Sequence, residues 1–492
     1  MLGFVHVSRR EYDAKPLRPR ASVNFHGTRS GRNTNMTTIR RIVLVGFGNI
    51  GQGLLPLLDR HFQARTTIFD KMVTSDLLKV AREYSAELIE CRITPENYRT
   101  VLAPLLDANT ALLNFAVSVS SVDLIRLAQE NDALYIDSCI EPWEYGCSGQ
   151  GLLESNYGLR ESIQAMRTSC AEKATALVAH GANPGFISIL LKKALYEMAR
   201  SIGFSCEPTS RDDWANLART LDIRVIQISE RDTQVESIHR DPDEFVCTWS
   251  VDGFITECLQ AAELGWGSHE EQQIPSGATL HCSKTQSVLE LATRGKDTRV
   301  KSWSPNYLGF EGYLLTHNES LSIAEYLTVL DGEETMYRPT VFYAYHPCDA
   351  TVESLPLLAD GDEERVASRR VIKDGITSGI DELGIFLVSG THRSFWLGSN
   401  LSIGKARKMA AYNNATSLQV VSSVVAALKW MEGNPRRGVI ESEEVDWEFI
   451  YEMTEEYWKP MSMESVAWQP DKHKRELIFQ EFLVNSHIDQ HE

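Results

Sequence analysis

Trp249 and Glu257 stand on a stretch, "CTWSVDGFITECLQ" (residues 247–260), that reads as a strand end, a turn at Asp252-Gly253 and a helix start. A large aromatic and an acid on either side of a turn make two walls of a site for a small cation, or else a core residue and a solvated charge. Similar placements recur along the chain. "DSCIEPWEYG" sets Glu141 before a proline, and "HGANPGFIS" sets Asn183 before Pro-Gly and a helix start. "QISERDTQ" puts Glu230 at a strand end, "LTHNES" brings His317 and Glu319 together, and "SGIDELG" puts Asp381 at a strand start. Each has a plainer reading, because acids favour surface turns and His317 could cap a helix. Beside the nucleotide motif described next, several acids at turns suit a positively charged nitrogen. Carboxylates hold an ammonium by charge-assisted hydrogen bonds, and one of them can take its proton.

"VLVGFGNIGQG" contains G-x-G-x-x-G at Gly46, Gly48 and Gly51, with Asn49 and Ile50 inside it. The motif follows a strand and opens a helix, and Asp70 closes the next strand in "TTIFDK". That context is the dinucleotide fingerprint of a Rossmann sheet. Gly46 permits the tight turn, Gly48 lets the backbone approach a pyrophosphate, and Gly51 lets helix and strand pack closely. The helix N-terminus offers free N–H groups to the anion. Asp70 would accept from the adenosine ribose 2′-OH and repel a 2′-phosphate, which favours NAD over NADP; Lys71 works against that preference. Asn114, Val117 and Ser118 follow the fourth strand, and Ser138 and Cys139 end the fifth, on the edge where ligands bind.

The elements that position these residues alternate from Arg40 onward. Strands at 41–46, 66–70, 86–90, 111–116 and 133–138 are separated by helices at 51–62, around 74–84, around 95–106 and at 121–131. This is a doubly wound parallel sheet. After 150 the strand-like runs are spaced irregularly, which suits a second α/β domain with a mixed sheet. From about 413 the pattern is mostly helical. The expected division is a basic extension (1–38), an NAD-binding Rossmann domain (39–182), a catalytic α/β domain (183–412) and a helical C-terminal segment (413–492) packing on the first two. The extension is expected to be disordered, or the product of a start placed too early, with Met36 as the true start.

The formal charge of −18 argues against a nucleic-acid partner, which calls for a basic face, and permits a cationic one. No apolar run approaches the ~18 residues of a membrane-spanning helix. The nine cysteines, at 91, 139, 147, 170, 206, 247, 258, 282 and 348, form no C-x-x-C, and the histidines form no H-E-x-x-H. A reducing compartment and no zinc site are expected.

In order along the chain, "VGFGNIGQGLLPLL", "CIEPWEYG", "ANPGFIS", "ISERDTQ", "TWSVDGF" with the following Glu257, "THNES" and "DELG" resemble bacterial homospermidine synthases, from about residue 40 to the C-terminus. The glycine-rich part is shared with many dehydrogenases, including saccharopine dehydrogenase-like relatives; the later motifs are more specific. The resemblance implies condensation of two putrescines to homospermidine with release of ammonia, spermidine as an alternative aminobutyl donor, NAD retained as a prosthetic group, and a cytoplasmic homodimer. It implies that Glu230, Glu257 and Asp381 bind amines and handle protons, with Glu141 at the mouth. His317 and Glu319 would line the inner pocket, and Asn183 would hold the nicotinamide side and an amine. Trp249 is expected, from the affinity of an indole face for a cation, to be a cation–π wall, the alternative being a ring packed under the second sheet. Two other readings are an NAD(P)-dependent reductase of the saccharopine or carboxynorspermidine dehydrogenase type, which calls for an arginine in the pocket, and a non-catalytic NAD-binding sensor.

Overall fold

The computed structural model describes residues 38–144, 155–270, 273–283, 285–359, 361, 363–471 and 476–484. The basic stretch 1–37 and Cys147 lie outside the described residues.

The first sheet is parallel throughout. It contains β1 (Arg41–Val45), β2 (Arg65–Asp70), β3 (Glu87–Glu90), β4 (Thr110–Asn114), β5 (Leu134–Asp137) and β6 (Ala176–Leu177) in the order 6-5-4-1-2-3. Its central strands are covered on both faces, so they read as unbroken apolar runs such as "IVLV" and "ALL" rather than alternating ones. β1 pairs with β2 on one side and β4 on the other. The winding therefore reverses between β1 and β4, and a crevice opens at their carboxyl ends. The helix expected around 95–106 is shorter, Tyr98–Leu102 followed by a 3₁₀ turn at Ala103–Leu105. Pro104 has no N–H to continue an α-helix.

The second sheet is mixed and ten-stranded. At its centre β7 (Ile223–Asp232) runs parallel to Thr340–His346 and antiparallel to Ile380–Ser389. Glu230 and Asp232 sit two residues apart and so share one face. Tyr345 pairs with Glu230, and Asp381 pairs with Asp232. One sheet face thus carries acids and tyrosines from three strands distant in sequence.

One apolar core joins the two sheets. It takes in Leu54 and Leu58 of the helix α1 (Asn49–His61), Ile226 and Ile228 of β7, and Leu418, Val421 and Val425 of the helix Ala415–Gly433. The stretch read as helical after 413 also supplies strands. Val439–Ile440 extends the first sheet beside β6, and Met461–Val466 closes one edge of the second. The former is two residues long and the latter half-exposed, so neither carries a strong pattern in the sequence.

Candidate active site

The nucleotide end is built from backbone. Gly46 has φ +93°, and a Cβ there would lie 2.7 Å from the Phe115 carbonyl carbon. A Cβ on Gly51 would lie 2.7 Å from the Gly46 carbonyl oxygen, so α1 can approach β1 this closely only with glycine. Nothing lies within 4 Å of the Gly48 Cβ position. Gly48 is the N-cap of α1, and no side chain caps that end. The bare turn faces a cavity of about 640 Å³ bounded also by Asp70, Lys71, Arg92, Val117 and Ser118. Asp70 accepts from the Phe47 N–H at 2.6 Å and the Met72 N–H at 3.0 Å, which fixes its carboxylate at one wall.

Other nucleotide candidates are placed differently. Asn49 is buried and lines none of these cavities; its Nδ2 donates to the Thr248 carbonyl at 3.3 Å, tying the start of α1 to the second domain. Asn114 spends its amide on its own loop, donating to the Val119 carbonyl at 2.9 Å. The Ser118 N–H donates to Glu141 at 3.0 Å, so Glu141 braces this loop while lining the outer cavity.

Beyond the nucleotide cleft two small adjoining cavities, about 110 and 70 Å³, share Ile50, Ser138, Cys139, Trp249, Glu257 and His317 in their walls. His317 takes the N-cap position of the helix Asn318–Tyr326 but makes no capping bond. Instead its Nδ1 lies 3.1 Å from Glu319 and its Nε2 3.2 Å from Glu257, with the ring 4.2 Å from that of Tyr343. Burial alone would lower the imidazole pKa, but Glu319 and Glu257 outweigh it and hold His317 protonated well above the usual range. Burial raises the Glu257 carboxyl, against the opposing pull of His317. Glu257 and His317 form a buried ion pair, and neither Glu257 Oε2 nor His317 Nε2 has a further hydrogen-bond partner in the protein.

The inner end belongs to Glu230, which is 2% exposed. Its Oε2 accepts from the Tyr343 hydroxyl at 2.6 Å and Asn183 Nδ2 at 3.0 Å. Burial pushes its pKa up to about 7, although those two donors pull the other way. Asp381 is fully buried and lines neither cavity. It sits behind Glu230, accepting from the Thr416 hydroxyl at 2.6 Å. Burial first, then Glu230 and Asp232, hold its pKa well above normal.

Trp249 is not on a strand end. The strand stops at Cys247, Ser250 caps the helix Val251–Leu259 by accepting from the Gly253 N–H, and Asp252-Gly253 is the first turn of that helix rather than a connecting turn. Serine at an N-cap competes well for such a bond, which is why the helix starts before the glycine. A Cβ on Gly253 would come 3.0 Å from the indole, so glycine lets the ring lie across the helix start. The half-buried ring lines both cavities and meets Phe254 edge-on at 6.1 Å.

No lysine or arginine is among the described residues lining either inner cavity. Arg231 points to the other face of β7, where it stacks over Tyr307 and contacts the Pro347 carbonyl. No group of three metal-ligating side chains occurs among the described residues, and no described helix is long and apolar enough to cross a membrane.

Residues 42–178 match the saccharopine dehydrogenase NADP binding domain family, and residues 181–464 the saccharopine dehydrogenase C-terminal domain family. A homospermidine synthase of Blastochloris viridis is 41% identical over 441 residues, 87% of this chain and 92% of that protein. The chain belongs to the homospermidine synthase family. A second member, from Mesorhizobium japonicum, is 36% identical over 87% of this chain and 91% of its own. The crystal structure of homospermidine synthase from Legionella pneumophila in complex with NAD is 36% identical, with a TM-score of 0.85, covering 92% of this chain and all of that one.

The motifs that resemble homospermidine synthases leave out two residues that the fold brings to the site: Tyr343 binds Glu230, and Thr416 lines the inner cavity and binds Asp381. Asp232 lies within "ISERDTQ", where the resemblance implies no role for it, and the fold sets it beside both acids. Tyr343 and Asp232 carried a signal: alternation in "VFYAY" and the i, i+2 spacing in "SERD" put them on the face of known partners. Thr416 opens a helix whose place against β7 only the folded chain shows.

Proposed function

We propose that this protein makes homospermidine from two putrescines, releasing ammonia, with spermidine as a second donor and NAD as cofactor. The observation that carries the reading is a pocket lined by the buried acids Glu230 and Glu257 and by His317, with no lysine or arginine among the described lining residues, opening beside the bare turn of a dinucleotide cleft. Substrates bearing an amino-acid carboxylate call for a cation in the pocket, and that argues against the reductase alternative.

The residues present fit a dinucleotide. The Gly46–Gly51 turn leaves room that any Cβ would fill, and the uncapped start of α1 offers N–H groups to a pyrophosphate. Asp70 would hold the adenosine ribose, Val117 and Ser118 would border the cofactor, and Ser138, Cys139 and Asn183 would lie on its nicotinamide side. NAD held there would supply a hydride acceptor beside the donor amine's carbon and, once reduced, the hydride donor for the condensed imine, so net redox would be zero.

The chain's own residues handle protons and charge. A donor ammonium must lose its proton before its carbon can give up hydride; Glu257, braced by protonated His317, takes it. Glu230 holds the far amine through a charge-assisted hydrogen bond, and Asp381 backs it from behind the cavity wall. Glu319 fixes the His317 orientation. Glu141 guides amines at the mouth. Trp249 presents its ring face to the cationic iminium and attracts it without accepting a proton. The buried walls keep water from the imine until the second amine arrives. In this reading residues 39–182 carry the cofactor, 183–412 the amines, and 413–492 clamp the two; the protein is a cytoplasmic homodimer. Incubation with putrescine and catalytic NAD⁺, followed by mass analysis, tests the reading: homospermidine supports it, and unreacted amine or stoichiometric NADH overturns it.

A further inference from the structure

Asp232 has no role in the mechanism above. It is fully buried, lines neither inner cavity and has no cation of its own on the site face. Such a carboxylate is costly unless its partners satisfy it. Three donors do so: the Gln234 N–H at 2.8 Å, Gln234 Nε2 at 3.2 Å and the Thr248 hydroxyl at 2.7 Å. Every hydrogen bond it makes comes from a donor, which favours the ionised form, while burial pushes its pKa up to about 6. Thr248 is itself fixed, since its carbonyl accepts from Asn49 and Asn414.

Asp381, directly opposite in the ladder, is the reverse case. Its Oδ2 accepts from Thr416, but its Oδ1 is buried with no donor in reach. The neighbour of Asp381 is Glu230, within side-chain hydrogen-bonding range, and Glu230 Oε2 already accepts two bonds. A proton on Asp381 Oδ1, donated to Glu230, satisfies both groups.

We propose that Asp232 is a positioning residue for the reaction: an ionised carboxylate out of the substrate's reach whose fixed negative charge makes Glu230 and Asp381 keep one shared proton. The pair then offers an amine one acceptor and one exchangeable proton, instead of two bare carboxylates that would repel each other. The groups around Asp232 agree with this. Glu230 flanks it on β7 and Asp381 on the neighbouring strand. Tyr345, Cys247 and Cys348 face it from adjacent elements, with burial raising the pKa of each and keeping it neutral, and Arg231 lies on the opposite face of β7. None of these neighbours supplies a positive charge on that face; the imidazole of His317 acts on Glu230 from across the inner cavity.

This inference rests on the proposed amine chemistry, and its test separates the two. Asp232→Asn keeps the shape and an acceptor for Gln234 but removes the charge. Two readouts apply: the acid limb of kcat/KM against pH, and the infrared C=O band of a protonated carboxyl, isolated as the parent-minus-Asp381→Asn difference. Removing a like charge in contact favours ionisation of the remaining pair, so both transitions move to lower pH by about one unit. A variant of parental melting temperature with an unmoved limb and band overturns the proposal. So does the absence of a protonated-carboxyl band at neutral pH in the parent, a result that needs no folded Asp232→Asn. A parent that yields no homospermidine would sink the functional reading, while the infrared test of the shared proton would still decide this one.

Discussion

The two ends of the cleft solve opposite problems. The nucleotide end meets an anion with backbone: bare N–H groups, glycines where a Cβ would collide, and one carboxylate fixed to the Phe47 and Met72 amides. The proposed amine end is built of side chains: Glu230 and Glu257 line the inner cavities, Glu319 and Asp381 stand behind them and not in the wall, all four are buried, and His317 lies between Glu257 and Glu319. Backbone recognition needs only a local turn, whereas the acid cluster needs four strands or helix starts brought together and the cost of their desolvation met by hydrogen bonds. The pKa values of Glu230, Glu257 and Asp381 are all raised, chiefly by burial.

The sharpest way to break this comparison is Glu257→Gln, which keeps shape and removes the charge beside His317. Activity should fall by about 10²-fold or more, the usual scale for a general base, with the melting temperature unchanged. A variant as active as the parent would make Glu257 a structural acid and leave the amine end without its base. Trp249 comes next. Trp249→Ala should lose about 30-fold, the rate equivalent of ~2 kcal/mol of desolvated cation–π attraction, and Trp249→Phe should keep part of the activity. The half-buried ring predicts little change in melting temperature. A loss of ~3–5 kcal/mol in stability with normal activity below the melting point would assign the indole to the core.

The nucleotide end is tested by cofactor choice. NADP should bind at least about tenfold more weakly than NAD, because Asp70 faces the 2′-phosphate while Lys71, Arg92 and Arg369 offset part of the repulsion. Equal binding would mean that the cations, not Asp70, set the preference. The smallest expected effect is a pH dependence. Glu230 must be ionised to accept from an amine, so kcat/KM should fall on the acid side of about pH 7. A carboxyl whose pKa is raised in the fold from its ordinary 4.5 adds stability at low pH and loses it as pH rises through about 7. Glu230→Gln should therefore raise the melting temperature above pH 7 and change it less below pH 4.5. A gain that is the same at every pH would detach Glu230 from this titration.

The same contrast explains what the sequence disclosed. The nucleotide end lies within one strand–turn–helix unit plus Asp70, so spacing alone located it. The acids were visible as residue types at turns, and the family motifs tied them together. Their division of labour was not visible. Asp381 stands behind Glu230 instead of in the cavity wall, which depends on the pairing of β7 with Ile380–Ser389, and Glu141 is shared with the Ser118 loop. Trp249 was placed at a strand end because Asp252-Gly253 resembles a turn; the Ser250 cap that starts a helix there is a local competition that the pattern left undecided.

The central claim is that hydride leaves an amine carbon and returns to the same molecule's product within one closed cycle. Putrescine deuterated at both amine-bearing carbons, incubated with unlabelled NAD⁺ in catalytic amount, tests it most directly. The account predicts homospermidine that retains all of its deuterium, ammonia in equal amount, and no accumulation of reduced nicotinamide. Deuterium lost from the product, or NADH formed mole for mole with amine consumed, would contradict it.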